Sequence, residues 1–174
     1  MSRALLLTGT VGVGKTTVAE EVAALLAARG EPHAWIDLDA LRTGWPPPPG
    51  DRFGSAVMLR NLAAVSSVYR SAGHRSLVLA GVVETAADRD DVAGAVDGAL
   101  TVVRLVADLD VVHGRLQDRH RREPDALAWH LHRASELSAI QEVAAVEDVV
   151  LKADGDPAAV AARALDHWDR HSPH

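Results

Sequence analysis

The sequence predicts an α/β fold, a three-layer sandwich in which a five-stranded parallel sheet is covered by helices on both faces. Short continuous apolar runs such as RALLLTG (residues 3–9) are typical of strands buried on both faces. Longer segments with apolar residues at helical spacing separate these runs. Because strands alternate with helices, the connections are expected to be right-handed crossovers and the sheet parallel.

The strands and helices are predicted from their apolar runs and from the residues that end them. Gly30 and Gly73 end the first two helices, as glycines at helix C-termini commonly do. The run PPPPG at residues 46–50 excludes a helix or central strand and marks a loop. The predicted strands are residues 3–9, 33–39, 76–83, 100–108 and 147–153. The predicted helices are residues 15–30, 55–73, 85–98, 109–123, 125–146 and 156–171.

Length and composition narrow the possible functions. The 174 residues predict one domain, 1–174, that buries a core without disulfides. The chain has no cysteine, which excludes thiolate metal sites and cysteine nucleophiles. A net charge of −6 argues against a general electrostatic grip on nucleic acid. No apolar stretch approaches membrane-spanning length, so we expect a soluble protein of the cytoplasm, with no membrane partner.

The stretch GTVGVGKT at residues 9–16 matches the phosphate-loop pattern G-x-x-x-x-G-K-[ST] between a predicted strand and a predicted helix. Its glycines let backbone N–H groups turn inward around an anion, and the helix N-terminus adds its positive end. Lys15 supplies a cation for the β and γ phosphates, and the Thr16 hydroxyl is positioned to ligate Mg²⁺. We therefore predict a P-loop NTPase sandwich that binds ATP with Mg²⁺. The predicted nucleotide-binding residues are Gly9, Thr10, Val11, Gly12, Val13, Gly14, Lys15, Thr16 and Thr17.

Two missing motifs narrow the class of P-loop protein. The chain has no N-K-x-D element to read guanine and no D-x-x-G switch after the third predicted strand. Both absences argue against a GTPase. Small single-domain P-loop proteins of this size are mostly kinases.

Two aspartates follow the second predicted strand, in WIDLD at residues 35–39. Ligands of open α/β sheets bind beyond the carboxyl ends of the strands, so this segment lies beside the phosphate loop. If the strand continues through Asp37 and Asp39, their side chains share one face. A carboxylate here can accept a proton from an attacking hydroxyl or hold the water shell of the metal. The alternative is structural: Asp39 caps a short helix at residues 40–44, and Asp37 caps nothing in particular.

The segment IDLDALR (residues 36–42) resembles the D-G-D-N-x-R segment of adenylylsulfate kinases. The order of elements also resembles that of shikimate, gluconate and chloramphenicol kinases. The resemblance implies a nucleoside-kinase-like fold with a small helical lid. It also implies that Asp37 lies near the metal, that Asp39 faces the acceptor hydroxyl and that Arg42 contacts the acceptor.

The chain departs from the adenylylsulfate kinase pattern at several positions. Leu38 and Ala40 stand where that pattern has glycine and asparagine. The loop GWPPPPGDRF (residues 44–53) is foreign to it, and one Phe and one Tyr in the whole chain do not supply its aromatic clamp. These departures indicate an acceptor other than adenylylsulfate.

Four arginines follow the fourth predicted strand within eight residues, at positions 115, 119, 121 and 122. A spacing of four puts Arg115 and Arg119 on one helical face. In the kinases that the chain resembles, this segment (residues 114–126 here) is a lid that closes over the triphosphate, and one or two arginines neutralise charge during transfer. Arg119 is the first candidate for that role and Arg115 the second. The alternative is a solvated basic helix end.

Three further residues are candidates for reading a polar acceptor. Arg60 and Asn61 lie on the helix after the proline-rich loop, and Glu84 follows the third strand at the binding edge. Glu84 can also stand in for a carboxylate that orders metal-bound water, and a surface or capping role explains each of the three equally well. The histidines between residues 113 and 132 are expected at the surface, and Trp129 in or at the edge of the core.

Together these residues predict an ATP- and Mg²⁺-dependent kinase that moves the γ-phosphate to a hydroxyl of a small metabolite or natural product. Lys15 and the lid arginines neutralise charge and Asp39 aligns the hydroxyl, while Thr16 and Asp37 hold the metal. One alternative is a nucleotide-dependent switch, in which ATP orders the lid to engage a protein partner. Another keeps the kinase chemistry but uses a nucleic-acid end as acceptor, which the acidic balance disfavours. The sequence identifies neither the acceptor nor the oligomeric state.

Overall fold

The computed structural model describes residues 2–51 and 53–171 and has the predicted α/β architecture. Its strands are β1 (Arg3–Gly9), β2 (His33–Asp37), β3 (Ser76–Ala80), β4 (Ala99–Val106) and β5 (Val149–Lys152). They form one sheet in the order β2-β3-β1-β4-β5, and every pairing is parallel. The helices are α1 (Lys15–Ala28), α2 (Ser55–Ser71), α3 (Ala86–Val96), α4 (Leu109–Arg119), α5 (Pro124–Ala144) and α6 (Pro157–His171). The predicted sandwich with five parallel strands is confirmed.

The central strand β1 is covered on both faces, which explains why its sequence is apolar without alternation. Leu5 and Leu7 face a core cluster shared with α1 and α6. Ala4 and Leu6 face a second cluster shared with α2 and α3. Because both faces of the strand are covered, each of these side chains is at most 1% exposed. No helix in the described part of the chain is long and apolar enough to cross a membrane.

Four strands, β2 to β5, are shorter than predicted, and β2 and β3 end beside the candidate residues. β2 ends at Asp37 instead of residue 39, and Asp37 pairs with Ala80, the last residue of β3. The Asp37 side chain accepts a hydrogen bond from the Asp39 backbone N–H at 2.9 Å, which turns the chain into a short 3-10 helix, Ala40–Arg42. Asp37 and Asp39 therefore do not share one strand face.

The segment after β3 is fixed by an interlock between Leu38 and Gly81. Leu38 is fully buried, and a Cβ placed on Gly81 would lie 2.5 Å from its Cδ1 atom. The leucine that replaces the glycine of the adenylylsulfate kinase pattern thus requires a glycine on the neighbouring strand end.

A buried polar network ties α5 to the sheet. The Gln141 amide is 2% exposed and donates to the Thr8 hydroxyl at 3.2 Å and to the Val83 carbonyl at 3.1 Å. The Thr8 hydroxyl also accepts the Val83 N–H at 3.2 Å. These contacts connect β1, the segment after β3 and the helix that follows the predicted lid.

The Gln141→Leu variant is expected to lower the free energy of unfolding by about 1–3 kcal/mol, because the Val83 carbonyl stays buried without its donor. Urea denaturation measures the change. Glu142→Leu, at the exposed neighbouring position, is the matched control and should stay within about 0.5 kcal/mol of the wild type. Equal stabilities of the two variants would contradict the prediction.

Candidate functional site

The phosphate loop connects β1 to α1, and its glycines are required by close contacts. Gly9 has φ of 139°, and a Cβ there would lie 2.4 Å from the Leu105 carbonyl oxygen. Gly12 has φ of 81°, and its Cβ would lie 2.9 Å from the Leu116 side chain of α4. Gly14, with φ of 107°, directly precedes the first residue of α1. The loop therefore packs directly against the predicted lid helix and points the N-terminus of α1 at the site.

Lys15 folds back over this loop. Its ammonium group donates to the carbonyl oxygens of Gly9 at 3.0 Å and Thr10 at 2.9 Å. Desolvation lowers the pKa of Lys15 to about 8, although the nearby Asp39 and Asp37 carboxylates act in the opposite direction. A desolvated cation held by two carbonyl oxygens is suited to receive an anionic ligand.

The lowered pKa of Lys15 predicts proton uptake when a nucleotide binds. At about pH 9 the free protein has Lys15 mostly neutral, because its pKa is about 8. Phosphate groups beside it favour the charged form, so the pKa rises and ADP binding should take up roughly one proton. Near pH 7 Lys15 is already charged and should take up almost none.

Calorimetry of ADP binding in two buffers of different ionisation enthalpy measures that uptake. Lys15→Arg is the control, since its guanidinium stays charged at both pH values. Uptake that is the same near pH 7 and near pH 9 in the wild type would contradict the lowered pKa.

Thr16 and Asp37 form an oxygen pair beside the loop. The Thr16 hydroxyl lies 3.5 Å from the Asp37 Oδ2 atom. Mg²⁺ in nucleotide sites takes one or two protein oxygens and completes its shell with waters and phosphates. The pair fits that requirement. Among the described residues there is no group of three or more His, Cys, Asp or Glu side chains that could hold a metal.

A cavity of about 350 Å³, the phosphate-loop cavity, lies over this loop. Arg115 donates to the Val13 carbonyl at 2.8 Å and to the Ala153 carbonyl at 3.0 Å. It thereby connects the phosphate loop to the segment after β5, and both terminal nitrogens of its guanidinium group are bound to backbone carbonyls. Arg119 also lines the cavity, and its guanidinium group forms no hydrogen bond or ion pair with a described residue. The cavity is lined by residues 11–18 of the phosphate loop and α1, by Asp39, Val82, Arg115, Leu116 and Arg119, and by Ala153, Gly155, Pro157 and Val160.

A second cavity of about 580 Å³ adjoins the first. Four residues line both cavities: Val11, Asp39, Val82 and Arg119. Arg42 donates twice to the Oδ1 atom of Asp39, once at 3.0 Å through Nε and once through Nη2. The Oδ2 atom of Asp39 accepts no hydrogen bond from a described residue. The boundary between the cavities thus carries one carboxylate oxygen that is free to accept a proton.

The structure distributes the weaker candidates unevenly. Glu84 lines the second cavity and forms an ion pair with Arg133. Asn61 donates to the Leu41 carbonyl at 2.8 Å and supports the 3-10 helix. Arg60 is exposed and lines neither of the two cavities, and Thr17 lines the phosphate-loop cavity.

Sequence reasoning missed the contribution of α5 to the second cavity. Trp129 is 54% exposed and lines that cavity instead of packing in the core. Arg133 and Leu137 line it too, and they follow Trp129 at intervals of four, so one stripe of α5 faces the cavity. An arginine inside a stripe that continues to the buried Gln141 was the available signal.

The fold and the phosphate loop together define a P-loop protein of the α/β class. The chain belongs to the family described as AAA domain, whose model matches residues 5–155. No curated protein has a sequence significantly similar to this chain.

Solved structures with this fold include small-molecule kinases. A gluconokinase from Sinorhizobium meliloti 1021 is 23% identical, with a TM-score of 0.63 and coverage of 97% of this chain and 93% of that chain. A shikimate kinase from Acinetobacter baumannii is 18% identical, with a TM-score of 0.63 and coverage of 98% and 94%. An APS kinase from Mycobacterium tuberculosis is 21% identical, with a TM-score of 0.57 and coverage of 97% and 98%. These likenesses confirm the predicted P-loop kinase-like fold.

Proposed function

We propose that the protein is an ATP- and Mg²⁺-dependent phosphotransferase that moves the γ-phosphate to a hydroxyl of a small metabolite or natural product. The observation that supports it most is the position of Asp39 on the boundary between the phosphate-loop cavity and the second cavity. A γ-phosphate on one side and a hydroxyl on the other would meet at this carboxylate. The structural similarity to a gluconokinase and a shikimate kinase supports a small-molecule acceptor.

Each residue in this proposal has one task. Lys15 and the N-terminus of α1 neutralise the phosphates, and Arg119 adds a second cation from α4. Asp39 orients the attacking hydroxyl and accepts its proton at Oδ2 as the phosphoryl group transfers. Mg²⁺, held through Thr16 and Asp37, would neutralise charge on the phosphate oxygens. The segment at residues 114–126 acts as the lid that excludes water.

Arg119 and Arg115 are expected to differ in kind. Arg119→Ala should lower kcat about 100-fold with little loss of folded stability, because a cation aimed at the transferring group is lost. Arg115→Ala should weaken both nucleotide binding and stability, because the clamp between the Val13 and Ala153 carbonyls is lost. Steady-state kinetics with thermal denaturation separates the two. Arg121→Ala, which removes an exposed pair with Asp118, is the control.

The proposed function is tested with γ-labelled ATP, Mg²⁺ and a fractionated small-molecule extract, with Lys15→Met and Asp39→Asn alongside. Label that moves into a discrete small molecule, and that is lost with both variants, would establish the transfer. Label that appears only as free phosphate, with Asp39→Asn unaffected, would favour the nucleotide-dependent switch. Label in a nucleic-acid end would identify the other alternative.

A further inference from the structure

The second cavity has an apolar wall. Leu59 of α2 lines it, together with the largely buried side chains of Met58, Val92 and Leu137. Trp129 contributes an indole that is 54% exposed. A volume of about 580 Å³ exceeds the need of a sugar-sized polyol and accommodates a ligand with an apolar body.

Two of the three arginines that line this cavity among the described residues, Arg42 and Arg133, are already paired with carboxylates. Arg42 binds the Oδ1 atom of Asp39 through two nitrogens. Arg133 binds Glu84 through Nη2 and Glu136 through Nη1, the latter at 2.6 Å. The two guanidinium side chains are only 25% and 20% exposed, so an incoming anion would have to displace a partner that is held in place. The remaining arginine, Arg119, also lines the phosphate-loop cavity.

Among the described residues that line the cavity, carboxylates outnumber guanidiniums. Its described lining holds four carboxylates, Asp39, Glu84, Asp88 and Asp91, and three guanidiniums, Arg42, Arg119 and Arg133. Asp91 is exposed and forms no ion pair with a described residue. Burial, together with the nearby His120 and Arg119, lowers the pKa of His130, so that ring adds no positive charge near pH 7.

Building on the proposed function, we propose that the acceptor carries no carboxylate or phosphate group, and is a neutral or amine-bearing hydroxyl compound with an apolar body. An anionic acceptor would face Glu84 and Asp91, and it would leave a carboxylate unpaired if it captured Arg42 or Arg133. Arg119, at the boundary with the phosphate-loop cavity, is assigned to the phosphates. A neutral or cationic acceptor leaves both arginine pairs intact and covers the apolar wall. The hydroxyl would then meet Asp39 at the cavity boundary.

Three probes of matched size test this proposal: phenylglycinol, 1-phenyl-1,2-ethanediol and mandelate, which carry an amine, no charge and a carboxylate. Each is titrated into the protein with ADP and Mg²⁺ present, and the Trp129 indole N–H signal, assigned with Trp129→Phe, reports binding. The amine and the diol should bind at least about tenfold more tightly than mandelate, because like charges brought together weaken binding. Tighter binding of mandelate, or no binding of any probe, would overturn the proposal.

Glu84→Gln gives a second test, because a purely structural role of Glu84 would leave the preference against mandelate unchanged. Removing this carboxylate frees Arg133 from one partner, so the preference against mandelate should shrink by at least about threefold. Glu142→Gln is the matched control, because Glu142 is an exposed glutamate on α5, the helix that carries Arg133. It should keep the wild-type preference. An unchanged preference in Glu84→Gln would overturn the charge argument.

Phosphoryl transfer is read separately from binding. Label from γ-labelled ATP that enters no acceptor would contradict the proposed function while the probe preferences still hold. Label that enters an anionic compound of the extract in preference to neutral ones would overturn the inference while upholding the kinase.

Discussion

Lys15→Met is expected to lower the rate of phosphoryl transfer by on the order of 10³–10⁵-fold, the range known for a cation on the transferring phosphoryl group. The ammonium group of Lys15 lies in a desolvated position, with its pKa lowered to about 8, and it contacts the Gly9 and Thr10 carbonyls. Methionine keeps the length of the side chain but removes the charge and the hydrogen-bond donor. Single-turnover kinetics with γ-labelled ATP, together with the dissociation constant of ADP, measures the loss.

The matched control is Lys152→Met, the same change at the only other lysine of the chain. The Lys152 side chain is 74% exposed and lies 3.9 Å from Asp154, so its removal should leave transfer within about twofold. Comparable losses in the two variants would show that the phosphate-loop lysine has no special role.

Asp39→Asn is expected to lower kcat by about 10²–10⁴-fold while the affinity for ADP changes little. Asparagine keeps the shape of the side chain and an oxygen for Arg42, but an amide does not accept a proton from the acceptor hydroxyl. The loss of the carboxylate should also lower the pKa of Lys15 further, since Asp39 acts to raise it. The proton uptake on ADP binding would then begin at a lower pH.

Asp166→Asn is the control for this variant. Asp166 pairs with Arg170 on α6, and both Asp166 and Asp39 are 63% exposed at their side chains, so each change removes an equally exposed, arginine-paired carboxylate. Only the change at Asp39 should affect kcat. If Asp39→Asn transfers phosphate at the wild-type rate, Asp39 only supports Arg42 and the 3-10 helix.

The phosphate loop and its surroundings followed directly from the sequence. Eight residues, 9–16, specify a backbone that only glycines can adopt at three positions, and the apolar run before them specifies a strand covered on both faces. These are local requirements of backbone and burial, so they leave a readable pattern. The order of strands and helices is equally local, which is why the sandwich was predictable.

The second cavity was not predictable in the same way, because its walls come from distant parts of the chain. Glu84 follows β3, and Arg133 lies on α5, 49 positions further along. No sequence motif around either residue predicts that they form an ion pair. The sequence placed Arg115 and Arg119 on one helical face and ranked Arg119 first, but it contained no contact that separated their roles. Because α4 packs against the phosphate loop, Arg115 donates hydrogen bonds to two backbone carbonyls, and Arg119 lies at the boundary of the two cavities.

The sequence by itself therefore determined the phosphate loop, the parallel sheet and the edge of that sheet where ligands bind, since each depends on neighbours along the chain. The tertiary structure decided which charges stay available. Asp37 became a partner for Thr16 and for the Asp39 backbone, while Asp39 kept one oxygen free. Charge pairing depends on which helices meet across space, and that is settled only when the layers pack.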